Sequence, residues 1–235
     1  MRPTFLAFHT ASRALAASQA NMDVTGNNIA NVNTAGYTRQ RVDLNSISSS
    51  GYAQKFATPG ASVGYGVEVN RISQIRDPFL DARYRDQASD YGRLETILSG
   101  LTDLENIFDE ASTEGLLYEI SKFVNELQTL SQTPAAGDIA LITRTAAQKV
   151  TQIMNVYAKQ VTQVRNQQVF DLSKVVIENE FNTKVKNIAD LNAQIRKEQT
   201  YGNIPNELMD KRNLLIDELS ELANIKVTYH PERIS

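Results

Sequence analysis

One pentapeptide of the sequence matches a known catalytic motif. Gly60-Ala61-Ser62-Val63-Gly64 has the G-x-S-x-G pattern in which a hydrolase presents a nucleophilic serine. That chemistry needs a strand before the serine, a helix after it and a histidine base. Here Pro59 precedes the motif, a strand pattern follows it, and His230 is the only downstream histidine. We therefore interpret this segment as a glycine-rich turn, with a serine hydrolase kept as a remote alternative.

Few other residues of the chain are suited to catalysis or metal binding. The sequence has no cysteine, which excludes disulfide scaffolds, thiolate zinc sites and cysteine nucleophiles. Gly64-Tyr65-Gly66 lacks the third glycine of a dinucleotide-binding loop. Carboxylate pairs such as Asp109-Glu110 alternate with basic residues, as on solvated helix faces. We expect no catalytic, cofactor-binding or metal-binding site.

The composition is that of a folded chain without a membrane span. The 235 residues are 41% hydrophobic and 22% charged, with a net charge of −3. No apolar run approaches the roughly 18 residues that cross a bilayer, and the acidic balance does not favour nucleic acid. Residues 1–22 are poor in acids, but their apolar run is too short for a cleaved signal peptide. We expect neither a membrane partner nor a nucleic-acid partner.

A heptad pattern predicts a helix from about Thr4 to Asn31. Small residues stand four positions before each bulky residue, which gives a narrow two-row seam. The bulky row is Phe8, Leu15, Met22 and Ile29. Such a seam suits a helix held by other helices at close range, and an ordinary amphipathic helix is the alternative. Without partners the seam buries little surface, so we expect this helix to be largely disordered before assembly.

Residues 36–77 predict an extended arm. Polar and apolar residues alternate from Thr38 to Asn45 and again from Gly66 to Ile72, which is the period of a strand. A Ser- and Gly-containing loop separates the two segments. They are typical of a β-hairpin that is too small to form a domain alone.

Residues 78–223 predict a helical bundle. A core-facing stripe follows Pro78 for about 30 residues, and Ser112-Thr113 opens a second helix that stops at Pro134. The segment between Gly137 and Gly202 contains neither glycine nor proline. It is either one helix of about 96 Å or two helices that meet near the polar stretch 166–171.

The last segment combines a helix and a strand signal. Pro205 suits the first turn of a helix with Leu208, Leu215, Leu219 and Leu222 on its stripe. Residues 224–235 read as the first strand of a following, mostly absent β-domain, so we expect the front portion of a longer protein. The fold class is mainly α: a long-helix antiparallel bundle with an N-terminal helix (residues 1–35) and a small β-hairpin arm.

Arginines and carboxylates are interleaved between residues 39 and 93. The basic members are Arg39, Arg41, Arg71, Arg76, Arg83, Arg85 and Arg93, and the acidic members are Asp43, Glu68, Asp77, Asp81, Asp86 and Asp90. An ion-pair network between subunits is one interpretation, and a solvated mixed surface is the other.

The stretch from Asp23 to Arg39 is the most unusual part of the sequence. Asn28 and Asn31 are three residues apart and so share a helix face. Because amides both donate and accept, these side chains suit recognition of a neighbouring backbone without charge. The following Asn33, Thr34 and Gly36 favour a turn that ends the helix, and a simple helix-ending turn is the alternative.

This stretch resembles the N-terminal signature of the axial proteins of the bacterial flagellum, which comprise rod, hook and hook-associated proteins. The matching residues are Asn28, Ile29, Ala30, Asn31, Asn33, Thr34, Gly36 and Tyr37. The segments 75–85 and 208–219 resemble the hook-associated branch. A rod or hook subunit is the alternative, and it would place substantial β-sheet after Pro78. The sequence departs from the family pattern because it lacks the later β-domain and the C-terminal helix.

The resemblance implies a non-enzymatic structural subunit at the junction between hook and filament. Such a subunit is exported through the flagellar type III apparatus without a cleaved signal and is extracellular. The implied partners are copies of itself in a ring, hook protein below, a second hook-associated protein above and an export chaperone. The implied interface residues are Phe8, Leu15, Met22, Asn28, Ile29, Asn31, Asn33, Thr34, Gly36, Tyr37 and Arg39.

Overall fold

The structure, a computed structural model, describes residues 5–47, 64–108 and 115–228. Its elements in order are α1 (Leu6–Ala30), β1 (Gln40–Ser46), β2 (Val67–Gln74), α2 (Pro78–Ile107), α3 (Leu116–Gln132), α4 (Gly137–Phe170), a π-helical segment (Asp171–Phe181), α5 (Asn182–Thr200) and α6 (Asn206–Leu222). The mainly α prediction is confirmed. The chain forms two compact units, one from residues up to 88 and from 184 on, the other from residues 89–183.

In the first unit, β1 and β2 form the predicted antiparallel hairpin. Their register runs from Gln40 opposite Gln74 to Ser46 opposite Val67, with an irregularity between Asp43 and Leu44. Helix α1 packs on this hairpin. The hairpin is therefore attached to the terminal helix and does not stand alone as an arm.

The first unit also contains an antiparallel pair formed by α5 and α6. Arg212 of α6 donates to Asn192 of α5 over 3.2 Å, and Lys184 pairs with Glu218 nearer the other end. Gly202, with a φ of 82°, lies in the connecting turn. Pro205 caps α6 one position before the first helical turn, where its missing N–H leaves no helical hydrogen bond unmade.

The second unit contains helices that run antiparallel to one another. Thr143 of α4 donates to the carbonyl of Glu126 in α3 over 3.3 Å, and the ion pair of Lys149 with Glu119 lies further along both helices. The Phe108 ring after α2 lies 5.4 Å from the Tyr157 ring. The predicted antiparallel bundle is thus present in this unit. Ser112-Thr113 lie outside the described residues, and α3 ends before Pro134, as expected.

One helical run extends from Gly137 to Thr200. The winding becomes π-helical at Asp171, next to the polar stretch where the apolar register drifts. A change from α to π winding alters the residue spacing on a face, so the helix continues while the register shifts. This selects one continuous helix over two.

The segment after α6 forms no strand over residues 224–228. Ile225 and Val227 are partly buried while their neighbours are exposed, which fits the predicted alternation. A strand requires a hydrogen-bonded neighbour, and this segment has none within the described part of the chain. Tyr229 and the residues after it lie outside the described ranges. The domain boundaries 1–35, 36–77, 78–223 and 224–235 stay predictions.

Candidate assembly surface on the N-terminal helix

One side of α1 is packed on the hairpin. Its contact row is Thr10, Ala17 and Val24, spaced by seven residues, with Ala17 4% and Val24 9% exposed. A Cβ added to Gly66 of the hairpin, whose φ is 94°, would lie 3.1 Å from Thr10 Cγ2. Small side chains on both surfaces therefore allow the helix and the hairpin to approach closely.

The opposite side of α1 carries the predicted seam. Phe8, Leu15, Met22 and Ile29 are 70%, 60%, 65% and 69% exposed. Each helical residue advances about 100°, so a row two positions from the contact row points about 200° away from it. Packing α1 on the hairpin thus leaves the seam open. These four side chains form the seam surface.

Asn28 recognises a backbone, as the sequence suggested, but that backbone belongs to its own chain. Its Nδ2 donates to the Gln40 carbonyl and its Oδ1 accepts from the Gln40 N–H, each over 2.9 Å. The Tyr37 hydroxyl also donates to Oδ1 over 2.9 Å. The side chain therefore ties the end of α1 to the start of β1. Its predicted contact with another subunit stays a prediction.

Asn31 and Thr34 close the end of α1. Asn31 Nδ2 donates to the carbonyl of Asn27 over 3.0 Å and to its Oδ1 over 2.7 Å, while Thr34 Oγ1 donates to Asn31 Oδ1 over 3.2 Å. These bonds are local side-chain contacts that close the last turn of α1 and the turn after it. Asn33 and Arg39 are exposed to solvent in and after the turn, while Asn31 and Thr34 stabilise the turn.

The turn then packs on α6. Gly36 has a φ of 77°, and a Cβ built on it would lie 2.9 Å from the Cβ of Leu214. Only glycine fits both the left-handed conformation and this close approach. Burial raises the pKa of the neighbouring Tyr37, and the carboxylates of Asp210 and Glu207 raise it further. The neutral hydroxyl, which a raised pKa favours, is the form that donates to Asn28.

Several of the interleaved charges pair within the chain rather than between subunits. Arg85 is 4% exposed and donates to Asp217 over 2.7 Å, and Arg76 bonds Asp81 over 2.5 Å and Asp217 over 3.4 Å. On the hairpin, Asp43 accepts from Arg41 and Arg71. The intersubunit interpretation is wrong for these pairs because the fold already brings their partners together. Asp217 lies on α6, more than a hundred residues beyond the arginines.

The described residues offer no site for metal chemistry. Within residues 5–47, 64–108 and 115–228, no group of three or more His, Asp or Glu side chains could hold a metal ion. In the same ranges no helix combines the length and apolar character of a membrane span. The serine motif cannot be placed, because Gly60–Val63 lie outside the described residues.

Sequence reasoning missed the buried polar residues that join α6 to the hairpin. The most buried of these polar side chains are Gln40, Asn206 and Asp210. Gln40 had a usable signal, because it stands on the same side of the strand alternation as Val42 and Leu44. The residues of α6 had none, since their partners are distant in sequence.

A family model described as "Flagellar hook-associated protein FlgK helical domain" matches residues 101–233, which is more than half of the chain. The chain belongs to this FlgK family. A second model, described as "Flagella basal body rod protein", matches residues 8–38, which include most of α1 and the turn. The helical region after Pro78 therefore separates this FlgK-family chain from rod and hook proteins, as the resemblance implied.

Individual relatives agree with this assignment. Flagellar hook-associated protein 1 of Bacillus subtilis is 36% identical over 98% of this chain and 45% of its own length. The protein of the same name in Salmonella typhimurium is 30% identical over 93% of this chain and 38% of its own length. Flagellar basal-body rod protein FlgG of Caulobacter vibrioides is 34% identical over 30% of each. The FlgK-family chain spans less than half the length of its hook-associated relatives, and no solved structure matches it.

Proposed function

We propose that this FlgK-family chain is a structural subunit that polymerises as the junction between the flagellar hook and filament. The observation that carries the proposal is the seam surface, whose bulky side chains are 60–70% exposed on a helix that is packed on its opposite side. Large apolar side chains in a regular row, open to solvent, are typical of a surface that another chain covers.

The seam surface can drive assembly through apolar burial. Fully burying a Leu, Ile, Phe or Met side chain contributes about 1.5–3 kcal/mol relative to leaving it exposed. Four such side chains per copy, covered in a closed arrangement of copies, give a favourable contact that a single chain lacks. In this proposal the exposed Asn33 and Arg39 also contact a neighbouring subunit.

The partners follow from family membership. They are copies of the chain in a ring, hook protein below, a second hook-associated protein above and an export chaperone that binds during secretion. We place the protein outside the cell, exported by the flagellar type III apparatus without a cleaved signal. It has no enzymatic activity in this proposal, and it engages neither membrane nor nucleic acid.

The test compares two added charges on α1 of the full-length protein. Leu15→Glu places a carboxylate in the seam surface, and Asn21→Glu places the same group at an exposed position about 120° around the helix from it. We expect Leu15→Glu to abolish filament attachment in cells that lack their own copy, while Asn21→Glu supports normal filaments. Both isolated variants should keep the helical circular dichroism of the parent. Normal filaments with Leu15→Glu would contradict the proposal.

A further inference from the structure

A row of amide side chains connects α1 to α6 through the hairpin. Asn28 of α1 holds the backbone of Gln40, and the Gln40 side chain, 8% exposed, accepts from Asn206 Nδ2 over 3.4 Å. Gln74 stands opposite Gln40 in the sheet, and its Nε2 donates to the Asn206 carbonyl over 2.9 Å. Asn28, Gln40, Gln74 and Asn206 form what we name the amide relay.

The inner members of the relay use their donors fully. Asn206 is 9% exposed, and its Nδ2 donates to the carbonyl of Ile72 over 3.1 Å as well as to Gln40. Gln74 Nε2 donates to Asp210 Oδ1 over 2.8 Å in addition to the Asn206 carbonyl. Satisfied amides fix the direction of both partners, because donors and acceptors must meet at set angles. A purely apolar contact would permit sliding.

The apolar part of the contact between α1 and the hairpin is small. Within the described residues, Ala17 and Val24 are the buried side chains of α1. Such short side chains interlock less than long ones, so the polar contacts of α1 also contribute to fixing its rotation about its axis. At its C-terminal end, that rotation is set by the bonds of Asn28 to Gln40 and Tyr37.

We propose that the amide relay is a positioning device through which α6 fixes the orientation of α1 and so the direction in which the seam surface faces. The inference rests on the proposed function, since orientation matters only if neighbouring copies cover the seam. It adds that Asn206, more than 170 residues from the seam, controls assembly without contacting another subunit. Uncharged amides suit this role because they fix geometry without burying a charge.

The orientation can be measured directly because the chain has no native cysteine. Spin labels on Ser18→Cys and Lys211→Cys, both exposed, report the distance between α1 and α6. Asn206→Asp keeps the shape of the side chain but replaces its donor nitrogen by an oxygen, which then faces the acceptor oxygens of Gln40 and Ile72. The exposed Asn187→Asp adds the same charge elsewhere in the first unit. We expect one narrow distance in the parent and in Asn187→Asp, and a distribution at least about twofold broader in Asn206→Asp.

Assembly of the full-length variants completes the test. We expect Asn206→Asp to lower the number of filaments per cell about tenfold, the effect of losing one to two buried hydrogen bonds. If circular dichroism shows that it does not fold, Asn28→Ala serves instead, with the exposed Asn187→Ala as its control. Unchanged distances would overturn the inference. Broadened distances together with normal filaments would also overturn it. Neither result would contradict the seam proposal, which the Leu15→Glu experiment tests separately.

Discussion

Helix α6 is packed on several sides within the chain, whereas α1 is packed on one. The buried residues of α6 are Asn206, Asp210, Asn213, Ile216, Leu219 and Ser220, and those of α1 are Ala17 and Val24. Both helices carry bulky apolar residues in regular rows. In α6 that row meets the rest of the first unit, and in α1 it faces solvent. A heptad row thus indicates that a stripe is covered but not which molecule covers it.

The largest expected difference in the free energy of unfolding is between alanine substitutions at Leu219 and at Leu15. Leu219 is 7% exposed and Leu15 is 60% exposed. We expect Leu219→Ala to lower the free energy of unfolding by about 2–5 kcal/mol, because it leaves a cavity. Leu15→Ala should change it by less than about 0.5 kcal/mol. Urea denaturation of the isolated chain measures both. A large loss of stability in Leu15→Ala would mean that the seam is packed within one chain.

The ion pairs give the next comparison. Asp217 joins Arg76 and the 4% exposed Arg85, while Asp90 and Arg93 are both more than 60% exposed at 3.8 Å. We expect Asp217→Asn to cost about 2–4 kcal/mol of stability, because it leaves a buried guanidinium without its carboxylate. Asp90→Asn should cost at most about 0.5 kcal/mol. Equal losses of stability for the two variants in thermal or urea unfolding would show that the ion pairs of Asp217 contribute no more than an exposed surface pair.

Alanine substitutions at two glycines compare how the turn and the preceding helix α1 respond to an added side chain. Gly36 has a positive φ and lies against Leu214, whereas a Cβ on Gly26 of α1 would meet nothing within 4 Å. We expect Gly36→Ala to destabilise the chain by about 1–3 kcal/mol. Gly26→Ala should stabilise it by about 0.5–1 kcal/mol, since alanine is the better helix former. Shifts of the same sign in the two unfolding curves would contradict the geometry of the turn.

Two aspartates give the smallest effects, with opposite dependence on pH. Burial raises the pKa of Asp210 above 3.8, so its contribution to stability falls as the pH rises from 3.8 through its folded pKa. The neighbouring Ser73 hydroxyl, with Arg71 and Arg41, lowers the pKa of Asp43, so the contribution of Asp43 to stability is lost as the pH falls from 3.8 through its folded pKa. Urea unfolding of Asp210→Asn and Asp43→Asn across pH 3–7 should show slopes that depart from the parent in opposite directions.

Local patterns predicted the main elements. The seven-residue row of α1, the strand alternation of β1 and β2, and the stop at Pro134 each depend on neighbours in sequence. The side of α1 that contacts the hairpin was not predicted, because Thr10, Ala17 and Val24 are small and do not stand out as an apolar row. In the structure α1 is helical and packed on the hairpin along that row, and the expected disorder of this helix before assembly stays a prediction.

Long-range polar contacts were beyond sequence reasoning. Asn28 was identified as a residue that binds a backbone, but its partner depends on the turn that brings Gln40 back to the helix. Asn206 and Asp217 lie more than 130 residues from the partners they contact in β2 and α2. No periodicity links positions so far apart. Such contacts appear only when the helices and the hairpin are placed together.

The central claim is that the seam surface is open in the single chain and covered in the flagellum. The most direct measurement is the thiol-labelling rate of Leu15→Cys, first in the isolated chain and then in the full-length protein assembled on cells. We predict rapid labelling in the isolated chain and strong protection after assembly, with Ala17→Cys protected in both. Slow labelling of Leu15→Cys in the isolated chain, or equally rapid labelling after assembly, would contradict the account.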